Sequence, residues 1–141
     1  MAKFKLDTDP DPEVMIIGIS SHVHELRLCW ALNRSLGLSL TRRRTDITDI
    51  TGDHTAHFAT FDHRDDDPAS GALTLIHNHS SGGVLLKEHR QADFFLVVDQ
   101  DHAARMPGLL DRVRDTDLVL AAFPLDLHQM RAGHKLLDWT I

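Results

Sequence analysis

The chain has 141 residues, a net charge of −6 and a single cysteine. Its length predicts one domain, residues 1–141, with a hydrophobic core of its own. The acidic balance and the absence of Tyr disfavour a nucleic acid as partner. Cys29 cannot form an internal disulfide, and the longest apolar run is too short to span a bilayer. We therefore expect a cytoplasmic protein without a membrane partner.

Two strands are predicted in the first third of the chain. Residues 1–13 are rich in Pro and Asp near their end, and we expect them to be flexible or to add an edge strand. Residues 14–20 (VMIIGIS) form the continuous apolar run of a buried strand. Residues 38–43 alternate like a second strand. The basic run at residues 42–44 is interpreted as the solvated end of that strand.

A helix is predicted between these strands, over residues 21–37. Ser20 or Ser21 is expected to cap its start. Gly37 is expected to end it in a left-handed conformation. Two apolar stripes fit the helical period: Leu26, Cys29, Trp30, Asn33 and Leu36, or Leu26, Trp30, Leu32 and Leu36.

The middle of the chain predicts an antiparallel meander. Residues 54–63 and 71–78 alternate like half-buried strands, and residues 84–89 are interpreted as a third strand. The segments between them, residues 64–70 and 79–83, have the composition of turns.

The last third predicts a second strand–helix–strand unit. Residues 92–100 and 116–126 are apolar runs typical of buried strands, and a helix is expected from about Pro107 to Asp115. With right-handed crossovers, both helices lie on one face of one sheet. The predicted fold class is α+β: a two-layer, ferredoxin-like mixed or antiparallel sheet with two helices on one face and the meander inserted.

The C-terminal tail has a possible helical turn over residues 128–131, followed by apolar side chains. Leu136, Leu137, Trp139 and Ile141 still have to be buried after that turn. Exposed apolar groups of this size favour a partner subunit, so we expect a homo-oligomer.

Three histidines are the main candidates for chemistry. If the hairpin turn centres on Asp67, His57 lies opposite His77, and His79 projects from the same face. Three imidazoles at one end of a sheet could then ligate zinc and leave one position open. The competing interpretation is structural, because a slip of one residue puts His57 on the other face and no spacing matches a zinc signature. The structural interpretation is preferred.

Other polar groups are interpreted as structural. Asp99, Asp101 and His102 follow a buried strand, where they could bind a cation or act as acid and base. Helix capping by Asp101 explains them more simply. Ser20, Ser21, His22 and His24 lack the nucleophile-elbow pattern of a hydrolase. Cys29 is expected to be buried on the helix, and the acidic run at residues 65–67 is expected to be solvated.

Three segments resemble the bacterial IPExxxVDY family. ELRLCWALNRSLGLSLTR (residues 25–42) is similar to the segment after that family's first strand, and LVLAAFPLDLHQMRAGHKLL (residues 118–137) is similar to its end. LLKEHRQADFFLVV (residues 85–98) stands where the naming motif is expected. Leu86, Glu88, Asp93 and Phe94 match or nearly match the motif, whereas Lys87 replaces its proline and Ala92 its valine.

The resemblance implies no known activity, and it implies a structural role for Glu88 and Asp93 at a strand start. The sequence therefore favours a non-enzymatic binding or interaction domain that forms a dimer, with no cofactor predicted and the small-molecule ligand left open. The alternative is a metal-binding protein or metal-dependent hydrolase that uses His57, His77 and His79.

Overall fold

The computed structural model describes residues 13–51, 53–63 and 72–137, and these form an α+β fold with a mostly antiparallel sheet. Ten strands and three short helices follow in chain order: β1 (Val14–Ser20), α1 (Glu25–Leu36), β2 (Leu40–Arg42), β3 (Ile47–Thr51), β4 (His54–Phe58), β5 (Thr60–His63), β6 (Leu73–His77), β7 (His79–Ser80), β8 (Gly83–Val84), β9 (Phe94–Asp99), α2 (Gln100–Ala104), α3 (Leu109–Arg114) and β10 (Ala121–Leu125). The segments Lys87–His89, Leu127–Gln129 and Gly133–Leu137 are 3-10 helices.

Six strands form the main sheet in the order β10-β1-β9-β6-β5-β2, with every neighbouring pair antiparallel. The predicted strand over residues 14–20 is confirmed as β1, and the apolar run after Ala92 forms β9. These two strands pair with each other at the centre of the sheet, where side chains on both faces are buried. This explains why both read as continuous apolar runs.

Alternate residues of the central strands enter two different cores. On one face, Ile17 and Leu96 pack with Leu32 of α1 and Val113 of α3. On the opposite face, Ile16 and Val97 pack with residues from the loop before β9, the β3–β4 hairpin and the C-terminal 3-10 segments. Leu136 is fully buried in this second core, so this side chain of the tail is covered by its own chain.

Helix α1 begins later than predicted. His24, rather than Ser20 or Ser21, occupies the N-cap, and its Nδ1 accepts a hydrogen bond from the N–H of Leu26 at 3.1 Å. The two serine hydroxyls instead donate to the carbonyls of distant loops. Gly37 ends the helix with φ 68°, as predicted.

The two predicted apolar stripes of α1 are confirmed at Cys29, Leu32 and Leu36 and wrong at Leu26 and Trp30. Leu28, Leu32 and Leu36 recur at intervals of four and are buried, whereas Leu26 and Trp30 are 60% and 59% exposed. Both patterns fit a period of 3.6, and the one with three leucines faces the sheet.

The predicted strand over residues 54–63 is broken at Ala59. Its first half, β4, pairs with β3, a strand that the sequence analysis did not predict. Its second half, β5, pairs with β6 in the main sheet. The carbonyl of Ala59 accepts the N–H of His77 at 2.9 Å, which fixes the position of the break.

Later elements are shorter than predicted. Residues 84–89 do not form a third strand, because only Gly83–Val84 pairs and Lys87–His89 is a 3-10 helix. The helix expected from about Pro107 is found in shorter form as α3, which follows Gly108 at φ 71°, and α2 is an additional helix that was not predicted. The last strand begins only at Ala121, since residues 116–120 form turns.

Some predictions lie outside the described residues. They are the N-terminal segment before Glu13, the turn at residues 64–70 with its acidic run, and the burial of Trp139 and Ile141.

Candidate functional site

A cleft of about 270 Å³ opens where α1 begins and β6 ends. Its lining includes four imidazoles, two carboxylates and one guanidinium: His24, His57, His77, His79, Glu25, Asp46 and Arg42. All three histidines predicted to share a site therefore line one cleft.

The register that led to this prediction is wrong. β5 and β6 pair Phe61 with Leu75, so facing residue numbers sum to 136 and not to 134. His57 lies on β4, opposite Thr48, and His77 lies opposite Phe94. His57 lines the cleft together with His79, since the β7–β8 hairpin packs on β4. In this contact Nε2 of His54 lies 2.5 Å from the carbonyl oxygen of Gly82.

His77 is the most firmly positioned imidazole in the cleft. Its Nδ1 lies 2.8 Å from Oε2 of Glu25, the first residue of α1. Its ring stacks on Phe94 with centroids 4.4 Å apart and an interplanar angle of 12°. Its side chain is only 28% exposed. The ring plane and one ring nitrogen are thus both fixed.

His79 stands beside His77, with ring centroids 6.4 Å apart and planes at 75°. Its Nε2 lies 3.5 Å from Oδ1 of Asp93. The other oxygen of Asp93 accepts the backbone N–H of Ser21 at 2.9 Å. Asp93 therefore links the start of β9 to the loop before α1 and also faces His79.

An ion-pair network forms another part of the cleft lining. Arg42 donates to both oxygens of Asp46 at 2.8 and 3.0 Å, and its guanidinium lies 3.9 Å from Glu25. The hydrogen bonds to Asp46 raise the pKa of Arg42 above its usual value. The charge of Arg42 is thus largely matched within the protein.

No group of three or more His, Cys, Asp or Glu side chains within residues 13–51, 53–63 and 72–137 is arranged to hold a metal ion. His57 contributes an exposed ring whose Nδ1 lies 3.1 Å from Oγ1 of Thr48. The three predicted rings share the cleft but are not arranged as a three-histidine metal site.

The residues that resemble the family motif hold loops in place. Leu86 and Phe94 are fully buried. The carboxylate of Glu88 accepts the N–H groups of Arg131 and Ala132 at 3.1 and 3.0 Å. Both carboxylates thus have structural contacts, but only Asp93 lies at a strand start as expected, whereas Glu88 lies on a 3-10 helix and binds the C-terminal segment.

Asn78, between the two strand histidines, is a structural residue that the sequence analysis missed. It is fully buried, its Oδ1 accepts the N–H of Leu86, and its Nδ2 donates to the carbonyls of His89 and Ala92. The available signal was a polar amide between a buried strand and a turn, a position where Asn side chains bind backbone groups.

The remaining candidates are structural. Asp99 caps α2 by accepting the N–H of Asp101 at 2.9 Å, so the cap is Asp99 and not Asp101 as predicted. His102 is buried and contacts the His63 ring edge-on. Burial, followed by the charge of Glu25, raises the pKa of the Cys29 thiol from 9.0 to about 12, which removes it as a nucleophile at neutral pH.

The outer face of α1 is a second surface of interest. Leu26 and Trp30 stand one helical turn apart and are both exposed, and the Arg34 guanidinium lies 5.3 Å from the Trp30 ring centroid. Beside them, a shallow cavity of about 390 Å³ is lined by Asp115 and Asp117.

The chain matches no family model, no curated protein and no solved structure. The resemblance to the IPExxxVDY family therefore stays a prediction. None of the described helices combines the length and apolar character needed to cross a membrane.

Proposed function

We propose that this chain is a small, non-enzymatic binding domain that forms a homodimer through the outer face of α1. The observation that carries the proposal is the exposure of Leu26 and Trp30 on one stripe of that helix. Trp and Arg are enriched among residues that dominate binding energy, and Arg34 continues the stripe. A two-fold axis would bring the same stripe of two copies together.

The edges of the main sheet support the helix face over strand pairing as the contact. Edge strand β2 has only three residues. Edge strand β10 contains Pro124, which has no N–H to donate to a second sheet. Short edges and prolines are common protections against edge-to-edge association.

The test is light scattering coupled to gel filtration on the untagged chain. We expect twice the chain mass of 15.9 kDa for the wild type and the monomer mass for Trp30→Ser and Leu26→Ser. Ile50→Ser is the matched control, because Ile50 is 69% exposed but lies on β3. A monomeric wild type, or equal dissociation in the control, would overturn the proposal.

The same proposal includes the fold family and the cellular location. The order β10-β1-β9-β6, with α1 after β1 and α2 and α3 between β9 and β10, supports a ferredoxin-like topology extended by β5 and β2. A cytoplasmic bacterial protein of the IPExxxVDY type is the expectation that accompanies it, and the buried free thiol of Cys29 is compatible with a reducing compartment.

Metal binding is the second candidate function, and the shared cleft of His57, His77 and His79 is the observation that favours it. Elemental mass spectrometry of untagged protein tests it. About one transition-metal ion per chain is the expected result, and a substoichiometric content that zinc dialysis does not raise would contradict it.

A further inference from the structure

Two neighbouring histidines in the cleft each turn one ring nitrogen towards a carboxylate. His77 places Nδ1 2.8 Å from Glu25, and His79 places Nε2 3.5 Å from Asp93. An ionised carboxylate only accepts hydrogen bonds, so the hydrogen-bonded Nδ1 of a neutral His77 ring carries the proton. In the ion-pair contact of His79, the same charge favours a proton on Nε2. The lone pairs then lie on Nε2 of His77 and on Nδ1 of His79. No hydrogen bond from the described part of the chain occupies either atom.

His24 has the opposite arrangement, although it lines the same cleft. Its Nδ1 uses its lone pair to accept the N–H of Leu26, so the proton of the neutral ring is on Nε2. Metal binding through Nδ1 would break the helix cap, and metal binding through Nε2 would first require that nitrogen to lose its proton. The polar contacts of the rings thus distinguish His77 and His79 from His24.

We propose that Nε2 of His77 and Nδ1 of His79 together bind one divalent transition-metal ion, with Glu25 and Asp93 orienting the two rings and water in the remaining positions. Metal-binding histidines almost always donate their other N–H to a carboxylate, carbonyl or water, and this pair has that arrangement in advance. Two free imidazole nitrogens suit zinc, copper or nickel, whereas magnesium and calcium select oxygen ligands. This inference rests on the second candidate function.

The spacing of the rings is compatible with a shared ion. Imidazoles on one tetrahedral zinc have centroids about 5 Å apart, given a zinc–nitrogen bond of about 2 Å. The observed separation of 6.4 Å is a little more than 1 Å wider, and the planes stand at 75°, so one ring has to approach the other and turn its nitrogen towards the ion. His79 is the ring to move, since it is 34% exposed and lies on a two-residue strand, whereas Phe94 fixes His77.

The experiment is a calorimetric titration of the untagged full chain with ZnCl₂ at pH 7.5, with MgCl₂ as the comparison ion. We expect one zinc per chain and no saturable magnesium binding. His77→Ala and His79→Ala should each weaken zinc binding at least tenfold. Glu25→Gln should weaken it by about 10- to 100-fold, because it removes the charge that orients His77.

Three matched variants separate this pair from other histidines. His24→Asn and His57→Ala alter rings of the same cleft, with asparagine keeping a capping side chain at the helix start, and His134→Ala alters an exposed ring on a 3-10 helix outside the cleft lining. Each should change the zinc affinity by less than about twofold. Because His77→Ala also removes a ring stacked on Phe94, circular dichroism checks folding, and His79→Ala decides the result if His77→Ala unfolds.

The outcomes distinguish the site from the function. If the wild type binds no stoichiometric zinc, both the metal function and this pair of ligands fail. If it binds zinc that survives His79→Ala, or that is lost equally in His24→Asn or His57→Ala, metal binding stands and the assignment to His77 and His79 is overturned.

Discussion

Asn78 and Leu86 are joined by side-chain hydrogen bonds in both directions. Oδ1 of Asn78 accepts the N–H of Leu86 at 2.8 Å, and Nδ2 lies 3.5 Å from the carbonyl of the same residue. Further bonds from Nδ2 reach His89 and Ala92. One buried amide thus holds the whole loop that precedes β9 against the end of β6, directly between the histidines of the cleft.

Asn78→Ala is expected to lower the free energy of unfolding by about 3 kcal/mol, because it leaves a buried N–H and buried carbonyls without partners. Urea unfolding followed by circular dichroism measures the change. Gln100→Ala, an exposed amide in α2, is the control and should stay within about 0.5 kcal/mol of wild type. Equal losses in both variants would show that the loop does not depend on Asn78.

Arg43→Ala is expected to cost about 3 kcal/mol, at the low end for a broken buried ion pair. The Arg43 side chain is 5% exposed and donates from Nε and Nη2 to the two oxygens of Asp62, both at 2.8 Å. The Asp62 side chain is 35% exposed and also accepts a hydrogen bond from Thr74, which limits the loss of stability in the variant. Chemical unfolding compares the variant with Arg44→Ala, whose side chain is exposed. A cost no greater than that of the control would contradict the prediction.

The burial of Arg43 could not be predicted from the sequence. A run of three arginines predicts a solvated strand end, and Arg42 and Arg44 are exposed accordingly. Arg43 is buried because the chain leaves β2 there and its N–H binds the carbonyl of Thr60. That contact joins segments 17 positions apart across the break at Ala59, and no local pattern signals the break.

Elements with strong local determinants were predictable. β1 and β9 are continuous apolar runs. Gly37 lacks a Cβ and therefore adopts the left-handed conformation at the helix end without strain. The buried face of α1 was not predictable, because more than one stripe fits the helical period. Packing against the sheet determines which of them is buried. The histidine cleft was expected from an incorrect register, and it forms instead through packing of one hairpin on another.

Glu88 is expected to have a pKa below its ordinary value of 4.5, because the N–H groups of Ala132 and Arg131 bind its charged form. The folded-state pKa lies below the unfolded one, so the stability from Glu88 is complete above the unfolded pKa. It is lost as pH falls through the folded pKa. The stability difference between wild type and Glu88→Gln should therefore be constant above pH 5 and shrink under more acidic conditions.

Carbon-13 NMR of the Glu88 carboxyl measures this pKa directly, and urea unfolding at several pH values measures its consequence. A titration midpoint at or above 4.5 would remove the basis of the prediction. A stability difference that grows on acidification would give it the wrong sign.

Leu118→Gly is expected to be about as stable as Leu118→Ala, although glycine at an ordinary position is roughly 1 kcal/mol less stable than alanine. Leu118 is the one non-glycine residue of residues 13–51, 53–63 and 72–137 with a positive φ, 77°, which costs an L-residue roughly 1 kcal/mol. The Ser21 hydroxyl, bonded to the Leu118 carbonyl at 2.6 Å, and the bond from Leu120 to Ser20 hold the turn in this conformation. Glycine removes the strain, which offsets the greater freedom that it gives to the unfolded chain.

Leu120 is the matched control position, because it is 63% exposed and has no positive φ, and Leu120→Gly should be about 1 kcal/mol less stable than Leu120→Ala. Thermal and urea unfolding compare each glycine variant with its alanine counterpart, and an equal difference at the two positions would mean that the fold stores no strain at Leu118.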